Sequence, residues 1–511
     1  MRREVKELNT KLARTVAGLS VAVLCLTSSR LLCAADGTSP EPPWRGDVER
    51  LAAALLGSTE AEEDLRALTD EIGGRPTGSE ANLRSVEWGL ERFRAAGVEA
   101  RREAFTLPAR WLERSATARI ISSDGTLGFS PRIAGMPYSV AASGLTAALL
   151  DGGRGLAADF ARLGQKARGA LVLIETEELH DVPGLFKEYG ESAGIQERAF
   201  EAGVAGLVLM GSRPRDVLHR QNAWLGHRNR HPMVILERTA AQRALRLLRA
   251  GRALQMTVRL ELDAGGTYES YNVVGEIPGR GQPEEIVVIG AHLDSWGLGT
   301  GALDNGCNVA LVIDLARQIK RLGLRPRRTI RFVLFNGEEQ GLHGSWGYVR
   351  RHAAELDRHV MASSYDIGSG RITGFFTGGR PDVLAAVERA LQPVAGLGPF
   401  EHNDIPIVGT DNFDFMMEGI ANLVANQESA AYGPNYHAGT DTFDKVDPRQ
   451  MRLNAAIAAA VTYGFAEMDV SWKRHDRAAI DALVAGTDLE SQMRTMSVWQ
   501  DWLDGKRGRQ P

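Results

Sequence analysis

The sequence predicts an α/β fold: a three-layer sandwich around a mixed, centrally parallel sheet, interrupted by a smaller inserted β/α module. Three observations predict it. From Tyr271 onward, short apolar strands alternate with helical segments, the pattern of a sheet built from crossover units. Between residues 120 and 265 the texture changes to short apolar strands separated by Gly-rich turns. The chain has 511 residues, 43% hydrophobic and 24% charged, which supports two or three globular domains and excludes a disordered or fibrous chain. Its 60 basic and 64 acidic residues give a formal charge of -4, and the basic residues do not pool into one long run, which argues against nucleic acid as a partner.

The first 35 residues read as a secretory signal. Arg2, Arg3, Lys6, Lys11 and Arg14 precede an apolar run from Val16 to Thr27 that is too short to span a bilayer, and Cys33, Ala34 and Ala35 offer a cleavage point. The alternative is an uncleaved signal anchor, the one stable membrane association the sequence leaves open. A lipid anchor is the weaker reading, because Leu24 and Leu32 stand where a small residue is wanted before Cys25 and Cys33. Removing residues 1–35 takes six basic and two acidic residues away and leaves -8. The three cysteines, Cys25, Cys33 and Cys307, then reduce to one thiol, and no disulfide framework exists.

After a Pro-rich stretch, Leu51, Leu55, Leu65 and Leu68 recur at helical spacing. The loop Gly73-Gly74-Arg75-Pro76-Thr77-Gly78 follows, and Ser79 caps a helix whose apolar face is Leu83, Val86, Leu90 and Phe93, ended by Gly97. In the inserted module, residues 120–265, the apolar strands are 169–174, 206–210 and 233–236. The run Phe200-Glu201-Ala202-Gly203 leading into Gly206-Leu207-Val208-Leu209 resembles a protease-associated domain. Strands at 272–277, 286–291, 329–336 and 421–425 then build the main sheet, with helices at 308–322 and after Asp447, where Pro448 takes the first helical position. The expected divisions are a leader (1–35), a discontinuous catalytic domain (45–119 and 266–470), the insertion, and a charged helical tail (471–511).

The chemistry collects at strand ends, where open α/β sheets place their sites. The strand Ile286-Val287-Val288-Ile289-Gly290 runs into Ala291-His292-Leu293-Asp294-Ser295. A glycine-rich turn carries Asp304, the strand 330–335 leads into Glu338-Glu339, Asp366 follows 360–364, and His437 lies in Tyr436-His437-Ala438-Gly439-Thr440-Asp441. Two histidines with several carboxylates suit a divalent ion such as zinc. The surplus of carboxylates points to a pair of ions roughly 3.5 to 4 Å apart that share one carboxylate and one water.

This set of segments, together with residues 322–329 and 446–451, resembles the co-catalytic dinuclear zinc exopeptidases. Within them it is most similar to the carboxypeptidase Q branch and its related aminopeptidases. The resemblance covers most of residues 45–470 and implies two Zn2+ per chain. It implies that His292 and Asp366 hold one ion, Glu339 and His437 the other, and Asp304 both. Glu338 would be the general base, and Asp294 would accept from the far nitrogen of His292. A cis peptide after Asp304 is a further implication. The expected activity is that of a secreted or periplasmic aminopeptidase or dipeptidase, cleaving small peptides with a free amino end by attack of a hydroxide shared between the metals. Relatives imply a homodimer. The alternatives are a catalytically silent receptor or binding protein on the same fold, and a glutaminyl cyclase.

The other nine histidines, His180, His219, His227, His231, His343, His352, His359, His402 and His475, are read as surface or core residues. Cys307 is read as a packed residue at a helix start rather than a ligand. Asp411 is read equally as a turn residue or a partner for a substrate ammonium, and Tyr432 and Tyr436 as packing residues with oxyanion contact as the alternative.

Overall fold

The structure, a computed structural model, describes residues 42–510; the leader segment lies outside them. The chain from Trp44 onward is one compact unit. It opens with α1 (Arg45–Leu56), α2 (Ala61–Arg66) and α3 (Glu80–Ala95), then β1 (Glu99–Leu107). Ser79 caps α3 by accepting from the Asn82 amide at 3.1 Å, as the sequence predicts.

A second sheet follows: β2 (Arg110–Ser122), β3 (Gly128–Phe129), β4 (Ile133–Gly135), β5 (Ala142–Asp151), β6 (Leu171–Ile174), β7 (Gly206–Met210), β8 (Met233–Leu236) and β9 (Leu254–Gly265). Its order is β3-β2-β9-β5-β6-β7-β8-β4, parallel from β5 to β8. Helices α4 (Ala157–Leu163), α5 (Val182–Glu201) and α6 (Arg238–Arg249) accompany it, and apolar clusters cover both its faces. The sheet starts at Arg110, ahead of the expected residue 120. The first half of β2 is mostly half-exposed and charged, so its apolar signal emerges only at Ala118 and Ile120.

The main sheet resumes with β10 (Tyr268–Ile277), β11 (Gln282–His292), β12 (Arg328–Phe335), β13 (His359–Ser364), β14 (Ile372–Phe376) and β15 (Asn422–Gln427). Its order is β1-β10-β12-β11-β13-β15-β14. The four central strands are parallel and the edges antiparallel. Alternation along β11 sends Val287 and Ile289 into the core under one helical layer and Ile286 and Val288 into the other. The first layer contains α1, α3, α7 (Cys307–Arg321), α9 (Pro381–Leu391) and α11 (Pro448–Glu467), and the second contains α8 (His343–Arg351) and α10 (Asn412–Met417). Asp447 caps α11 by accepting from the Arg449 amide at 2.8 Å. The tail forms α12 (Arg477–Gly486), α13 (Leu489–Thr495) and α14 (Trp499–Leu503), which pack on Phe413, Met416 and Met417 of α10. No helix of the described residues is long and apolar enough to cross a membrane.

Candidate metal centre

The candidate residues converge at the carboxyl ends of the four parallel strands. His292 ends β11, Glu338 and Glu339 follow β12, Asp366 follows β13, and His437 lies in the loop beyond β15. Asp304 sits in the turn before α7, and its peptide bond to Asn305 is cis. His292 Nε2 lies 2.9 Å from Asp366 Oδ1 and 3.1 Å from Asp304 Oδ1. His437 Nε2 lies 2.8 Å from Glu339 Oε2 and 3.3 Å from Asp304 Oδ2. Two clusters of buried ligand atoms result, His292/Asp304/Asp366 and Asp304/Glu339/His437, each within 4.8 Å and sharing Asp304.

Burial pushes the Glu339 carboxyl up to about 7, helped by Asp304, and pushes Asp366 and Glu338 up as well. Burial opposes charge on the histidines too, but Glu339 and Asp304 win at His437 and bring it to about 9, and Asp366 leads a rise at His292. Asp304 moves the other way, because His292 and His437 outweigh its burial. Glu339 Oε1 and Asp304 Oδ2 are buried with no hydrogen-bond partner. Four carboxylates facing two imidazoles out of water need added positive charge, and the donor set is borderline-hard. The residues therefore fit divalent cations.

The supports differ from the sequence expectation at one point. His292 Nδ1 meets the backbone carbonyl of Asp294 at 3.0 Å, while the Asp294 carboxylate stands at 3.7 Å. That carboxylate instead accepts from the Thr77 hydroxyl at 2.8 Å and from the Glu338 and Glu339 amides at 3.4 Å each. It thus holds the turn that carries both glutamates, and it is fully buried.

Several residues of the site carry no motif signal. Asp441 accepts from the amides of Ala302 at 3.1 Å, Leu303 at 2.6 Å and Asp304 at 3.1 Å, fixing the turn of the shared ligand. Arg75, fully buried in the loop before α3, donates to the carbonyls of Leu293 at 2.7 Å, Thr300 at 2.6 Å and Gly301 at 3.0 Å. Burial pulls its guanidinium down to about 10. From the inserted sheet's side, Asn222 donates to the Glu339 carbonyl at 2.8 Å, Arg213 to the Tyr436 carbonyl at 3.0 Å, and the Arg220 amide to the His437 carbonyl at 2.9 Å.

Tyr436 stacks on His437 with ring centroids 3.7 Å apart, and its hydroxyl meets that of Tyr189 on α5 at 3.0 Å. Tyr432 is buried against it. Cys307 is the first residue of α7 and buried, its Sγ directed at the Leu303 carbonyl, outside both clusters. Asp411 is buried just before α10 with neither carboxylate oxygen hydrogen-bonded, and burial raises its pKa, with Asp294 and Asp366 adding to the rise. Among the described residues, none of the other nine histidines joins a cluster. A recess of about 170 Å³ lined by Asp304, Glu339, His437, Trp296 and Asp441 opens onto the ligands. A larger one of about 670 Å³, between α5 and the ends of β6 and β7, contains none of them.

Residues 272–462 match peptidase family M28. The matched segment contains all five clustered residues. Among its relatives, carboxypeptidase Q of Xenopus laevis is 31% identical over 295 residues, a match covering 56% of this chain and 62% of the frog protein. Carboxypeptidase Q of Rattus norvegicus is 28% identical over 423 residues, covering 80% of this chain and 85% of the rat protein. A peptidase M28 precursor from Shewanella amazonensis superposes with a TM-score of 0.75 at 28% identity, covering 84% of this chain and 97% of that one. A metallopeptidase related to these proteins would have a chemical use for both clusters.

Proposed function

We propose that the protein is an exported zinc exopeptidase that removes residues from short peptides with a free amino end, by aminopeptidase or carboxypeptidase Q-like dipeptidase action, using two Zn2+ per chain. The observation that carries this reading is the pair of clusters sharing Asp304, with Glu338 beside them and outside both. His292 and Asp366 would hold one ion, Glu339 and His437 the other, and Asp304 both. Zinc bound there supplies a water acidified toward neutral pH and a polarised scissile carbonyl.

The remaining steps belong to the chain's own groups. Glu338, its pKa raised by burial in the cleft, takes the proton from the attacking water and returns it to the leaving amine. Asp294 orients Glu338 and Glu339 through their amides, and Asp441 orients Asp304 in the same way. Two relatives named carboxypeptidase Q support peptides as the substrate class. The leader, read from sequence alone, supports export, and homodimer formation stands as part of the same proposal.

The test combines metal analysis with a substrate panel. Wild-type protein should hold two zinc ions, lose hydrolysis on chelation and regain it with zinc. Glu338→Gln should keep the metal while kcat falls roughly 10²- to 10⁴-fold, the range of general acid–base catalysis. Free dipeptides and tripeptides should be cleaved and their N-acetylated forms spared. Equal cleavage of the acetylated forms overturns the exopeptidase reading, and zinc-free protein with full activity overturns the metal reading.

A further inference from the structure

The charged tail, which the sequence marks only by the run Gly505-Lys506-Arg507-Gly508-Arg509, places one guanidinium against the turn that carries the two glutamates. Arg507 is 2% exposed. It forms a two-pronged pair with Asp414 of α10, Nε to Oδ1 at 2.7 Å and Nη2 to Oδ2 at 2.7 Å. Its remaining donors reach the carbonyls of Gly341 at 3.1 Å and Leu342 at 3.2 Å. The amides of those same two residues both donate to the Glu338 carbonyl at 2.9 Å, and the His343 amide donates to Gly337 at 2.9 Å. Gly341 takes a φ of +119°, open to glycine, but Leu342 takes +62°, a left-handed conformation that a side chain disfavours, so the turn needs support from outside itself. Asp414 is itself fixed by the Ser345 hydroxyl at 2.9 Å. The Arg507 guanidinium also lies 5.0 Å from the Trp346 ring and 5.1 Å from that of Phe413.

We propose that Arg507 is a positioning residue of the peptidase: through the Gly341 and Leu342 carbonyls, the tail holds the Glu338–Glu339 turn in the geometry that hydrolysis and metal binding require. A planar fork is needed, because two carboxylate oxygens and two carbonyls are engaged at once, which an ammonium cannot do. The turn is thereby held from three sides: by Asp294 beneath it, by Asn222 of the inserted module and by Arg507 of the tail.

The kinetic part of the test rests on the peptidase reading, so a readout independent of activity accompanies it. Full-length Arg507→Ala and Arg507→Lys are compared with wild type and with Arg494→Ala, an exposed arginine of the same tail paired to Glu490. Three quantities are measured: hydrogen exchange of the amides at 338–343, zinc retained against a competing chelator, and kcat and KM on a free dipeptide. In Arg507→Ala those amides should exchange faster, zinc retention should fall, and kcat should drop roughly ten- to a hundredfold while KM stays within about twofold, the signature of a misplaced catalytic group. Arg507→Lys should fold and still show the loss, and Arg494→Ala should match wild type. If Arg507→Ala does not fold, Arg507→Lys decides alone. Wild-type exchange at 341–343, or wild-type kcat in Arg507→Lys, overturns the proposal. If wild-type protein with zinc hydrolyses no peptide, the peptidase reading fails, and the exchange rates still decide the role of Arg507.

Discussion

The groups that bind and the groups that hold are distributed differently along the chain, and this decides which could be read from the sequence. His292, Asp304, Glu339, Asp366 and His437 each stand at a strand end or glycine turn, where a buried imidazole or carboxylate has few structural reasons to be. Asp441 and Arg75 act through backbone carbonyls and amides, so their partners have no side-chain identity to form a motif. Asp294 shows the same limit, because its presence beside His292 was legible while its partners, Thr77 and two amides, come from elsewhere in the chain. Asp441 supplies a direct test. Its carboxylate gathers three successive amides that set the position of Asp304, and Asn offers only one accepting oxygen there. Asp441→Asn is expected to lower zinc affinity and kcat by about ten- to a hundredfold, the usual cost of losing a group that orients a ligand. Chelator competition followed by metal analysis checks it, and unchanged affinity would remove Asp441 from the site.

At the scale of elements, the central strands were legible because they are buried on both faces and read as continuous apolar runs. The edge strand β1 was not, since its segment Glu99–Leu107 carries Glu99, Arg101, Arg102 and Glu103 and joins the sheet by backbone pairing to β10. The short edge strand β14 escaped for want of length. At the start of β13, His359 illustrates an element-level consequence of burial. Its Nε2 meets the Tyr348 hydroxyl at 3.0 Å and its Nδ1 the Glu355 carbonyl at 3.0 Å, and burial holds its pKa down at about 4. The unfolded chain therefore takes up a proton below pH 6.5 that the folded chain refuses until about pH 4, so stability falls as pH drops through that window. Between pH 7 and pH 5 this one residue should cost about 2 kcal/mol. Urea titrations of metal-free protein at those two pH values should show a smaller acid-side loss in His359→Gln than in wild type, and equal losses would contradict the assignment.

At the scale of the whole molecule, the insertion proposed from the change of texture after residue 120 has a second consequence. Its sheet carries its own apolar clusters on both faces, which by itself is compatible with a detachable accessory. The segment between β7 and β8 argues otherwise. Arg213, Arg220 and Asn222 hold the backbone carbonyls of Tyr436, His437 and Glu339, two of which belong to metal-binding candidates. Tyr189 of α5 fixes the ring stacked on His437, and Trp224 bonds to the tail through the Arg494 carbonyl at 3.3 Å. These bonds are made from side chains and amides of one sheet to carbonyls beside the other, so no pattern in either segment announces them. An inserted domain that merely narrowed the cleft could be removed with a gain in activity on longer peptides. One that holds the ligand loops could not. Replacing residues 110–265 by a short Gly/Ser linker is therefore expected to abolish zinc retention at the Glu339/His437 pair together with hydrolysis of all peptides, and Asn222→Ala to lower kcat in the intact chain. Metal content and a length series of free peptides measure both, and a linker variant that kept two zinc ions and cleaved longer peptides faster would show that the module is only a lid.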